Sequence, residues 1–368
     1  MRVAVPKETA AAERRVALVP DVVARLTKAG IVVAVEAGAG TAAGYEDAAF
    51  ASAGAELAPT AAAACAGADV VCKVQRPSLA EVALLPEGSA LVAMLQPAQS
   101  AELFAALATR KVTGIAMELV PRITRAQSMD VLSSQATVVG YKAVLIAASS
   151  LPRLLPMLTT AAGTLAPARA FILGVGVAGL QAIATARRLG AIVSAFDVRA
   201  AVREQVQSLG AKFVEADAVA NAEGAGGYAK ELAAEQQQKV LEAVGRALPE
   251  MDMVITTAQI PGKPAPRLIT AAMVATMKPG SVIVDCAAES GGNCELTEAG
   301  TTIVAHGVTI IGAVNLPATV PGHASQMYSK NVQTLLAHLT KDNALAIDLD
   351  DEITGAMVVT HAGTIRSR

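Results

Sequence analysis

A glycine-rich hexapeptide, Gly174 to Gly179, limits the fold of this chain more than any other feature. It reads GVGVAG and has the spacing GxGxxG. An apolar segment, Ala170 to Leu173, precedes it, an apolar helical segment follows it, and a second apolar segment ends at Asp197. This order of strand, tight turn, helix and strand with a terminal acidic residue is typical of a βαβ unit that binds a dinucleotide.

Each part of the hexapeptide has its own physical role in such a unit. Gly174 permits the tight turn, Gly176 lets the backbone approach a pyrophosphate, and Gly179 allows close packing of helix on strand. The first helical residues, Val177 and Ala178, offer free N–H groups and the positive end of the helix dipole to the phosphates. The hexapeptide therefore predicts a phosphate-binding turn.

The acidic residue at the end of the second strand predicts which dinucleotide is bound. Asp197 can accept hydrogen bonds from the adenosine ribose hydroxyls and would repel a 2′-phosphate, which favours NAD(H) over NADP(H). Arg199 weakens that inference, because a nearby arginine can accommodate a phosphate. A turn without any ligand and a flavin site are the alternatives at this stage.

The apolar segments recur with helical segments between them, and this alternation predicts parallel sheets. At 53% hydrophobic residues, a chain of 368 residues can bury two cores. We therefore predict an α/β protein with two Rossmann-like, doubly wound parallel-sheet domains joined by long helices, with NAD(H) in the interdomain cleft. The predicted strands are Arg2–Val5, Ile31–Val35, Ala68–Val74, Ser89–Met94, Val112–Met117, Ala168–Leu173, Ile192–Phe196, Lys212–Val214, Met253–Thr257, Ser281–Asp285 and Thr309–Gly312.

Two long helical segments set the predicted domain boundaries. They are Ser134 to Leu151 and Gln326 to Leu339, and the second would return the chain to the first domain. The predicted domains are residues 1–133 plus 318–368, and residues 134–317 as the NAD(H)-binding domain. A Gly-rich stretch within residues 216–240 predicts a mobile surface loop that is followed by a helix.

Composition excludes several other classes of protein. Mean hydropathy is +0.46, but no uninterrupted apolar stretch reaches the roughly 20 residues of a spanning helix, and MRVAVPKE has no signal-peptide pattern. A net charge of −2 and the absence of Trp argue against nucleic acid. The four cysteines form no CxxC pair, so no metal site is predicted, and they are interpreted as small buried residues of a reducing compartment.

A second cluster of polar side chains lies between Arg122 and Ser133, after the last predicted strand of the first domain. Such a position faces the edge of a sheet where ligands usually bind. Arg122 and Asp130 could pair, while Gln127 and Ser133 could donate to a carboxamide. A loop cap with an internal salt bridge is an equally good reading of the spacing alone.

This cluster also carries a family resemblance. Its sequence RITRAQSMDVLSSQ resembles a loop in the soluble NAD(H)-binding component of proton-translocating transhydrogenase. The resemblance covers nearly the whole chain and includes PKE with ERRVALVP (Pro6–Pro20), KVQRP (Lys73–Pro77), GVGVAGLQAIATARRLGA (Gly174–Ala191), DVRAA (Asp197–Ala201), AGGYAKE (Ala225–Glu231), IPGKPAP (Ile260–Pro266) and MKPGSVIVD (Met277–Asp285).

The resemblance implies a reaction and a set of partners. Hydride would pass directly from NADH on this chain to NADP⁺ on a separate component, as a Si-specific/Re-specific, proton-translocating NAD(P)⁺ transhydrogenase. It also implies a homodimer. The chain ends at Arg368 without hydrophobic spans, so the membrane-spanning and NADP(H)-binding components are expected to be separate chains. The expected location is cytoplasmic, peripheral on the inner side of the cell membrane through these partners.

The resemblance also assigns roles to individual residues. Arg122, Gln127, Asp130 and Ser133 would hold the dihydronicotinamide, and the segment Gly224–Tyr228 would close over the nucleotide. The full predicted set of cofactor-binding residues is Gln127, Ser128, Met129, Asp130, Gly174, Gly176, Val177, Ala178, Gly179, Asp197, Val198, Arg199, Gly227, Tyr228 and Gln259.

Alanine dehydrogenase is similar over the same length and is the alternative. It oxidises an amine, so it must move a proton, and it uses a first-domain histidine for that step. In the matching stretch LVAMLQP this chain has Gln96, which cannot act as a base near neutral pH, and Glu289 falls at the family's later catalytic aspartate. Transfer between two nicotinamides needs no base, because each ring exchanges only a hydride.

The remaining residues fit that interpretation. The chain's histidines all lie late in the sequence and none follows a predicted first-domain strand, so they are interpreted as ordinary surface or core residues: His306, His323, His338 and His361. We interpret Lys73 and Arg14 or Arg15 as remnants of an ancestral site, without a catalytic role. A non-catalytic NAD(H)-sensing module is the third hypothesis.

Overall fold

The computed structural model describes residues 1–216, 233–260 and 263–366. The chain divides into two compact units. The first unit consists of Met1–Gln135 and Pro317–Arg368, and the second unit of Ala136–Leu316. Strands and helices are numbered along the whole chain.

The first unit contains most of the strands of the N-terminal third and all of those at the C-terminus. Its strands are β1 (Arg2–Val5), β2 (Val32–Glu36), β3 (Glu56–Ala58), β4 (Val70–Cys72), β5 (Ala90–Ala93), β6 (Thr113–Ala116), β16 (Thr340–Lys341), β17 (Ala344–Leu345), β18 (Val358–His361) and β19 (Thr364–Ile365). Its helices are α1 (Pro20–Lys28), α2 (Asp47–Ser52), α3 (Ala61–Cys65), α4 (Leu79–Val82), α5 (Ala101–Thr109), α11 (Pro321–His338) and α12 (Glu352–Met357).

The second unit follows the long helix α6 (Val131–Ser150), whose first residues belong to the first unit. Its strands are β7 (Leu158–Thr160), β8 (Gly163–Leu165), β9 (Arg169–Leu173), β10 (Ile192–Phe196), β11 (Lys212–Phe213), β12 (Met253–Thr256), β13 (Val282–Asp285), β14 (Thr302–Ala305) and β15 (Val308–Gly312). Its other helices are α7 (Val177–Arg188), α8 (Arg203–Ser208), α9 (Ala234–Ala247) and α10 (Ala271–Val274).

Each unit is built on one large sheet. The first sheet has the order β19-β18-β6-β5-β4-β1-β2-β3, and the second has the order β11-β10-β9-β12-β13-β15-β14. Both are parallel apart from edge strands, and both start from a central strand and wind first to one side and then to the other. The prediction of two Rossmann-like α/β domains is confirmed.

The sheets are parallel except at their edges, where some strands pair antiparallel. β18 pairs antiparallel with β6 and with β19, and β14 pairs antiparallel with β15. The strands β3, β14, β18 and β19 were not predicted, nor were the hairpins β7–β8 and β16–β17. All of these are only 2–4 residues long, which leaves too few positions for a periodic pattern.

The helix α1 shows how the local sequence produces an element of the first core. Pro20 occupies the first turn, where its missing N–H has no partner to lose. Val22, Val23 and Leu26 lie on one face and are buried against the sheet, and Gly30, with φ +84°, ends the helix. The central strands are mostly apolar and buried, as expected for a parallel sheet that helices cover on both faces.

The helix α6 is the candidate membrane span among the described helices. It is 20 residues long and, by length and composition alone, apolar enough to cross a membrane, although Lys142 interrupts the apolar sequence. Length and composition are weak evidence for a membrane span, because core helices of water-soluble proteins can be equally long and apolar. Ala143, Val144 and Ala147 of this helix are buried in the second core.

Candidate dinucleotide site

The Gly-rich turn connects β9 to α7 at the carboxyl end of the second sheet. Gly174 has a φ of +90°, and a Cβ atom there would lie 2.8 Å from the amide nitrogen of Ala258. Its own N–H donates to the carbonyl of Phe196 at 2.9 Å, and its carbonyl accepts the hydroxyl of Thr257 at 2.9 Å. Only glycine fits this turn, which is anchored on both neighbouring strands.

The other two glycines of the hexapeptide pattern differ in their surroundings. A Cβ at Gly179 would lie 2.0 Å from the carbonyl oxygen of Gly174, so close packing of α7 requires glycine there. At Gly176, by contrast, a Cβ would meet no atom of the described residues within 4 Å. The packing of the described residues explains Gly174 and Gly179 but gives no structural reason for Gly176.

The start of α7 is open in the same region. Gly176 is the N-cap and provides no side chain, and the following residue Val177 is exposed while Ala178 is half-buried. The first N–H groups of a helix have no intrahelical partners and attract anions. An uncapped helix start with a bare backbone in front of it fits a phosphate group.

Asp197 follows β10 and is almost fully engaged by its own chain. One carboxylate oxygen accepts the N–H of Val175 at 2.7 Å. The backbone N–H and the guanidinium of Arg199 donate three further bonds, at 2.9, 2.9 and 2.8 Å. The side chain of Asp197 is 6% exposed. Asp197 thus stabilises the Gly-rich turn, and a ribose that bound it would displace bonds from Arg199.

The remaining predicted residues of the second unit are only partly described. Val198 is half-buried beside Asp197, and Gln259 is exposed after β12 and donates to the carbonyl of Cys286 at 3.3 Å. Gly227 and Tyr228, with the predicted closing segment around them, lie outside the described residues. The helix predicted after that segment is α9, which begins at Ala234.

The loop predicted to hold a nicotinamide lies in the first unit, between β6 and α6. Residues Thr124–Met129 form a short 3-10 turn in which Ala126 and Met129 are buried while Gln127 and Ser128 are exposed. Arg122, just before the turn, is also exposed. Two buried side chains therefore anchor the turn, and its polar side chains face solvent.

Asp130 connects this loop to α6. Its carboxylate accepts the backbone N–H of Ser133 at 2.9 Å and the hydroxyl of Ser133 at 2.6 Å, which is the geometry of an N-cap. The loop-cap interpretation is thus correct as far as Asp130 and Ser133 are concerned. A cap of this kind also fixes where both side chains stand, which suits residues that position a ligand.

A residue that the sequence analysis did not single out supports the loop from behind. Asn331, on α11, donates its side-chain N–H to the carbonyl of Ser128 at 2.7 Å, across 203 residues of sequence. Its side-chain oxygen accepts the hydroxyl of Ser134 at 2.7 Å. The distance in sequence explains why no local pattern could have identified it.

A buried ionic cluster occupies the carboxyl ends of β1 and β4. The ammonium of Lys73 lies 2.7 Å from Glu81 and 3.4 Å from Glu8, and its side chain is 2% exposed. Burial opposes charge on Lys73, but Glu8 and Glu81 outweigh it and raise its pKa. Nearby, Arg15 pairs with Glu13; burial opposes this charge too, yet the bonds from Arg15 lower the pKa of Glu13 to about 2. These charges neutralise each other inside the chain.

No histidine stands at the end of β5. Gln96 is exposed there with a φ of +49°, and the neighbouring N–H of Leu95 donates to Glu118 at 3.1 Å. His338 contacts the cap Asp351 at 3.0 Å. His361 is the last residue of β18, a strand that was not predicted, and its ring nitrogen Nδ1 lies 2.9 Å from the hydroxyl of Thr113.

Neither a metal-binding cluster nor a reactive thiol is found among the described residues. No group of three or more His, Cys, Asp or Glu among them could hold a metal ion. Cys65 and Cys72 are buried and unpaired, and burial raises their thiol pKa values to about 11 and about 12. Such thiols stay protonated and unreactive at neutral pH.

Comparison with known proteins identifies relatives over the full length of the chain. The family model "Alanine dehydrogenase/PNT, N-terminal domain" matches residues 4–139, and "Alanine dehydrogenase/PNT, C-terminal domain" matches residues 143–368. An NAD(P) transhydrogenase subunit alpha chain of Rhodospirillum rubrum is 52% identical over 99% of this chain and 97% of its own length.

A solved structure and a second relative complete the comparison. The crystal structure of transhydrogenase from Sinorhizobium meliloti has a TM-score of 0.91 and 46% identity, and the match covers 100% of both chains. Alanine dehydrogenase from Mycobacterium tuberculosis is 31% identical over 100% of this chain and 95% of its own. The chain is thus markedly more similar to the transhydrogenases.

Proposed function

The chain belongs to the alanine dehydrogenase/PNT family, and on that premise we propose that it is the NAD(H)-binding component of an NAD(P) transhydrogenase. NADH bound here passes its hydride directly to NADP⁺ bound on a partner component. The transfer is Si-specific for one nicotinamide, Re-specific for the other, and coupled to proton translocation through a membrane-spanning component.

The observation that carries the proposal is the residue at the end of β5. Gln96 stands exposed where the alanine dehydrogenase resemblance expects a histidine base. Amine oxidation requires a proton acceptor, whereas transfer between two nicotinamides requires only positioning and exclusion of water. The exposed Gln127 and Ser128, on a turn with buried anchors, suit a positioning task.

The residues take separate roles in this proposal. The bare backbone at Gly176 and the open start of α7 receive the pyrophosphate, and Asp197 receives the adenosine ribose after Arg199 moves. Arg122, Gln127, Asp130 and Ser133 hold the dihydronicotinamide. Hydride chemistry is supplied by the bound nucleotides, so the chain contributes orientation and a fixed reaction distance.

We also propose that the chain acts as a homodimer on the cytoplasmic face of the membrane, attached through its partners. The hairpin β7–β8 supports the dimer, because Met157 and Leu165 beside and within it are 64% and 50% exposed. Apolar side chains in such a position favour a protein contact. Light scattering during gel filtration measures the mass, and a monomer at micromolar concentration would contradict this component of the proposal.

The decisive experiment measures hydride exchange with and without a purified NADP(H)-binding transhydrogenase component. We expect oxidation of NADH by an acetylpyridine analogue of NADP⁺ only when that component is present. NADH oxidation that depends on pyruvate and ammonia, by this chain alone, would replace the proposal with an amino-acid dehydrogenase. Tight NADH binding with neither activity would favour a sensing module.

Two helix-capping residues provide a matched test of the loop. Asp130 caps α6, and Thr60 caps α3 by accepting the N–H of Ala63 at 3.2 Å. Replacing either by Ala should lower stability by about 1 kcal/mol. Only Asp130→Ala should also slow hydride transfer at saturating NADH, by more than it weakens NADH binding. Equal rates in the two variants would remove Asp130 from the site.

A further inference from the structure

One side-chain contact from a distant helix reaches the backbone of the candidate nicotinamide loop, residues 122–133. Asn331 is 8% exposed on α11, and its Nδ2 donates to the carbonyl of Ser128 at 2.7 Å. This carbonyl belongs to the exposed part of the turn, between the buried anchors Ala126 and Met129. The contact therefore acts on the backbone that carries Gln127 and Ser128, and leaves their side chains free to face solvent.

The other end of the same amide holds the start of α6. Asn331 Oδ1 accepts the hydroxyl of Ser134 at 2.7 Å, one residue beyond Ser133. One side chain thus bridges the turn that carries Gln127 and the first turn of the helix that carries Ser133. Only a side chain with a donor and an acceptor at this spacing can make both bonds, and the asparagine amide offers both without charge.

A buried polar chain keeps the bridge in place. Gln135 donates to the carbonyl of Ala324 at 3.2 Å and to the hydroxyl of Ser134 at 3.3 Å. Its own carbonyl oxygen accepts the guanidinium of Arg15 at 2.8 Å, and Arg15 is locked to Glu13 by bonds of 2.8 and 2.6 Å. Arg15 and Gln135 are 2% and 6% exposed, so these bonds are shielded from competition with water.

We infer that Asn331 is a positioning residue for hydride transfer. Through its bridge between Ser128 and Ser134, Asn331 sets the position and orientation of the Gln127–Asp130 backbone. The inference rests on the proposed function of that loop. Hydride transfer is steep in distance, and a misplacement of about 1 Å can cost on the order of 100-fold in rate. Asn331 acts through the loop and touches neither nicotinamide.

The test compares two buried polar residues of α11 in the full chain, assayed with the partner component. Asn331→Asp keeps the acceptor for Ser134 but removes the donor to Ser128. The control is Ser329→Ala on the same helix, which removes the 3.0 Å hydrogen bond that the N–H of Val19, at the start of α1, donates to the Ser329 hydroxyl. We expect Asn331→Asp to slow single-turnover transfer at saturating NADH by about 10- to 100-fold, and to change the NADH dissociation constant by less than about threefold.

The pH dependence of Asn331→Asp tests whether a restored donor also restores the rate of hydride transfer. A protonated carboxyl can donate as the amide does, and burial favours the protonated form. The transfer rate of Asn331→Asp should therefore rise toward that of the unaltered chain as the pH is lowered, whereas Ser329→Ala should transfer hydride at the unaltered rate at every pH. If Asn331→Asp does not fold, Ser134→Ala removes the other end of the bridge and should slow transfer in the same direction.

The outcomes separate this inference from the proposed function. If the unaltered chain transfers no hydride with its partner, the proposed function fails and the inference fails with it. If the unaltered chain transfers hydride and Asn331→Asp does so at the same rate, only the inference is overturned. A rate loss of equal size in Ser329→Ala would also overturn it, because the effect would then follow stability alone.

Discussion

The two sheets have the same strand order through their parallel strands, yet their topological switch points are filled in opposite ways. In the second sheet, the turn after β9 is bare backbone, with Gly176 open to solvent and an uncapped helix behind it. In the first sheet, the carboxyl ends of β1 and β4 carry Glu8 and Lys73, which are buried and paired. The switch point of the second sheet offers N–H groups that have no partners within the helix. At the switch point of the first sheet, the charged side chains are already paired with each other.

Topology therefore provides a place for a ligand but does not decide whether the place is open. Open α/β sheets bind ligands where the strand order reverses. In the first unit the ion pairs of Lys73 occupy that place, and the exposed polar loop stands instead at the end of β6, farther along the sheet. The following predictions test this contrast, in order of expected effect on the free energy of unfolding.

Breaking the ionic cluster should have the largest effect. Lys73→Met leaves the carboxylates of Glu8 and Glu81 without their cation, and we expect a loss of about 3–5 kcal/mol in unfolding free energy. Urea denaturation followed by circular dichroism measures it, and amide exchange should locate the loss in the first unit. The exposed pair of Lys111 with Glu87 is the control, and Lys111→Met should cost far less. Recovery of stability in Lys73→Met with Glu8→Gln would support the mechanism, and no recovery would count against it.

The Glu13–Arg15 pair should make stability depend on acidity. The pKa of Glu13 is lowered from 4.5 to about 2 in the folded chain, so its contribution is complete above about pH 4.5 and is lost as the pH falls toward 2. We expect roughly 2–3 kcal/mol to separate the unaltered chain from Glu13→Gln at neutral pH, and the difference to shrink through that window. A difference that is constant from pH 7 to about pH 3 would show that the carboxylate charge contributes nothing.

In the second unit, the hexapeptide glycine that packs the helix should be sensitive to an added methyl group. A Cβ at Gly179 would lie 2.0 Å from the carbonyl oxygen of Gly174, so α7 must move away from β9. We expect Gly179→Ala to lose about 1–3 kcal/mol of stability, together with NADH affinity. Denaturation and NADH fluorescence titration measure the two losses. Unchanged stability would mean that the helix shifts without cost.

The open glycine should show the smallest effect on stability and a clear effect on binding. A Cβ at Gly176 meets no atom in the part of the chain that the structure describes, so Gly176→Ala should change the unfolding free energy by no more than about 1 kcal/mol, the cost of alanine at an N-cap. The methyl group would stand where a pyrophosphate approaches, and NADH binding should weaken by roughly tenfold or more. Full NADH affinity in Gly176→Ala would place the phosphates elsewhere.

The two candidate regions also differ in how far the sequence predicts them. The turn after β9 is shaped by backbone sterics at Gly174 and Gly179, and those constraints are local, so six consecutive residues predict it. The loop Arg122–Ser133 is visible as a polar cluster, but its support comes from Asn331, 203 residues beyond Ser128. A contact between distant side chains leaves no periodic or local signal in a single sequence.

The edge strands and the pairing of Asp197 with Arg199 were also beyond prediction from the local sequence. The central strands lie within mostly apolar segments and were predicted within a few residues. In contrast, β18 is held by its pairing with β6, and its sequence alone does not indicate a partner. The sequence predicted Asp197 as a free ribose acceptor. It could not show that Arg199, two residues away, would fold back on it.

The saturated carboxylate of Asp197 has a thermodynamic consequence for any nucleotide that reaches it. A ribose hydroxyl gains a bond with Asp197 only as a guanidinium bond of 2.8 or 2.9 Å is given up. The enthalpy of this subsite is therefore a difference between two sets of similar bonds, and the number of contacts in a complex would overstate its contribution to affinity. The Asp197 subsite discriminates between nucleotides by exchanging hydrogen bonds from Arg199 for hydrogen bonds from the ribose. Most of the attraction for the nucleotide therefore comes from the bare turn that precedes Asp197 in the sequence.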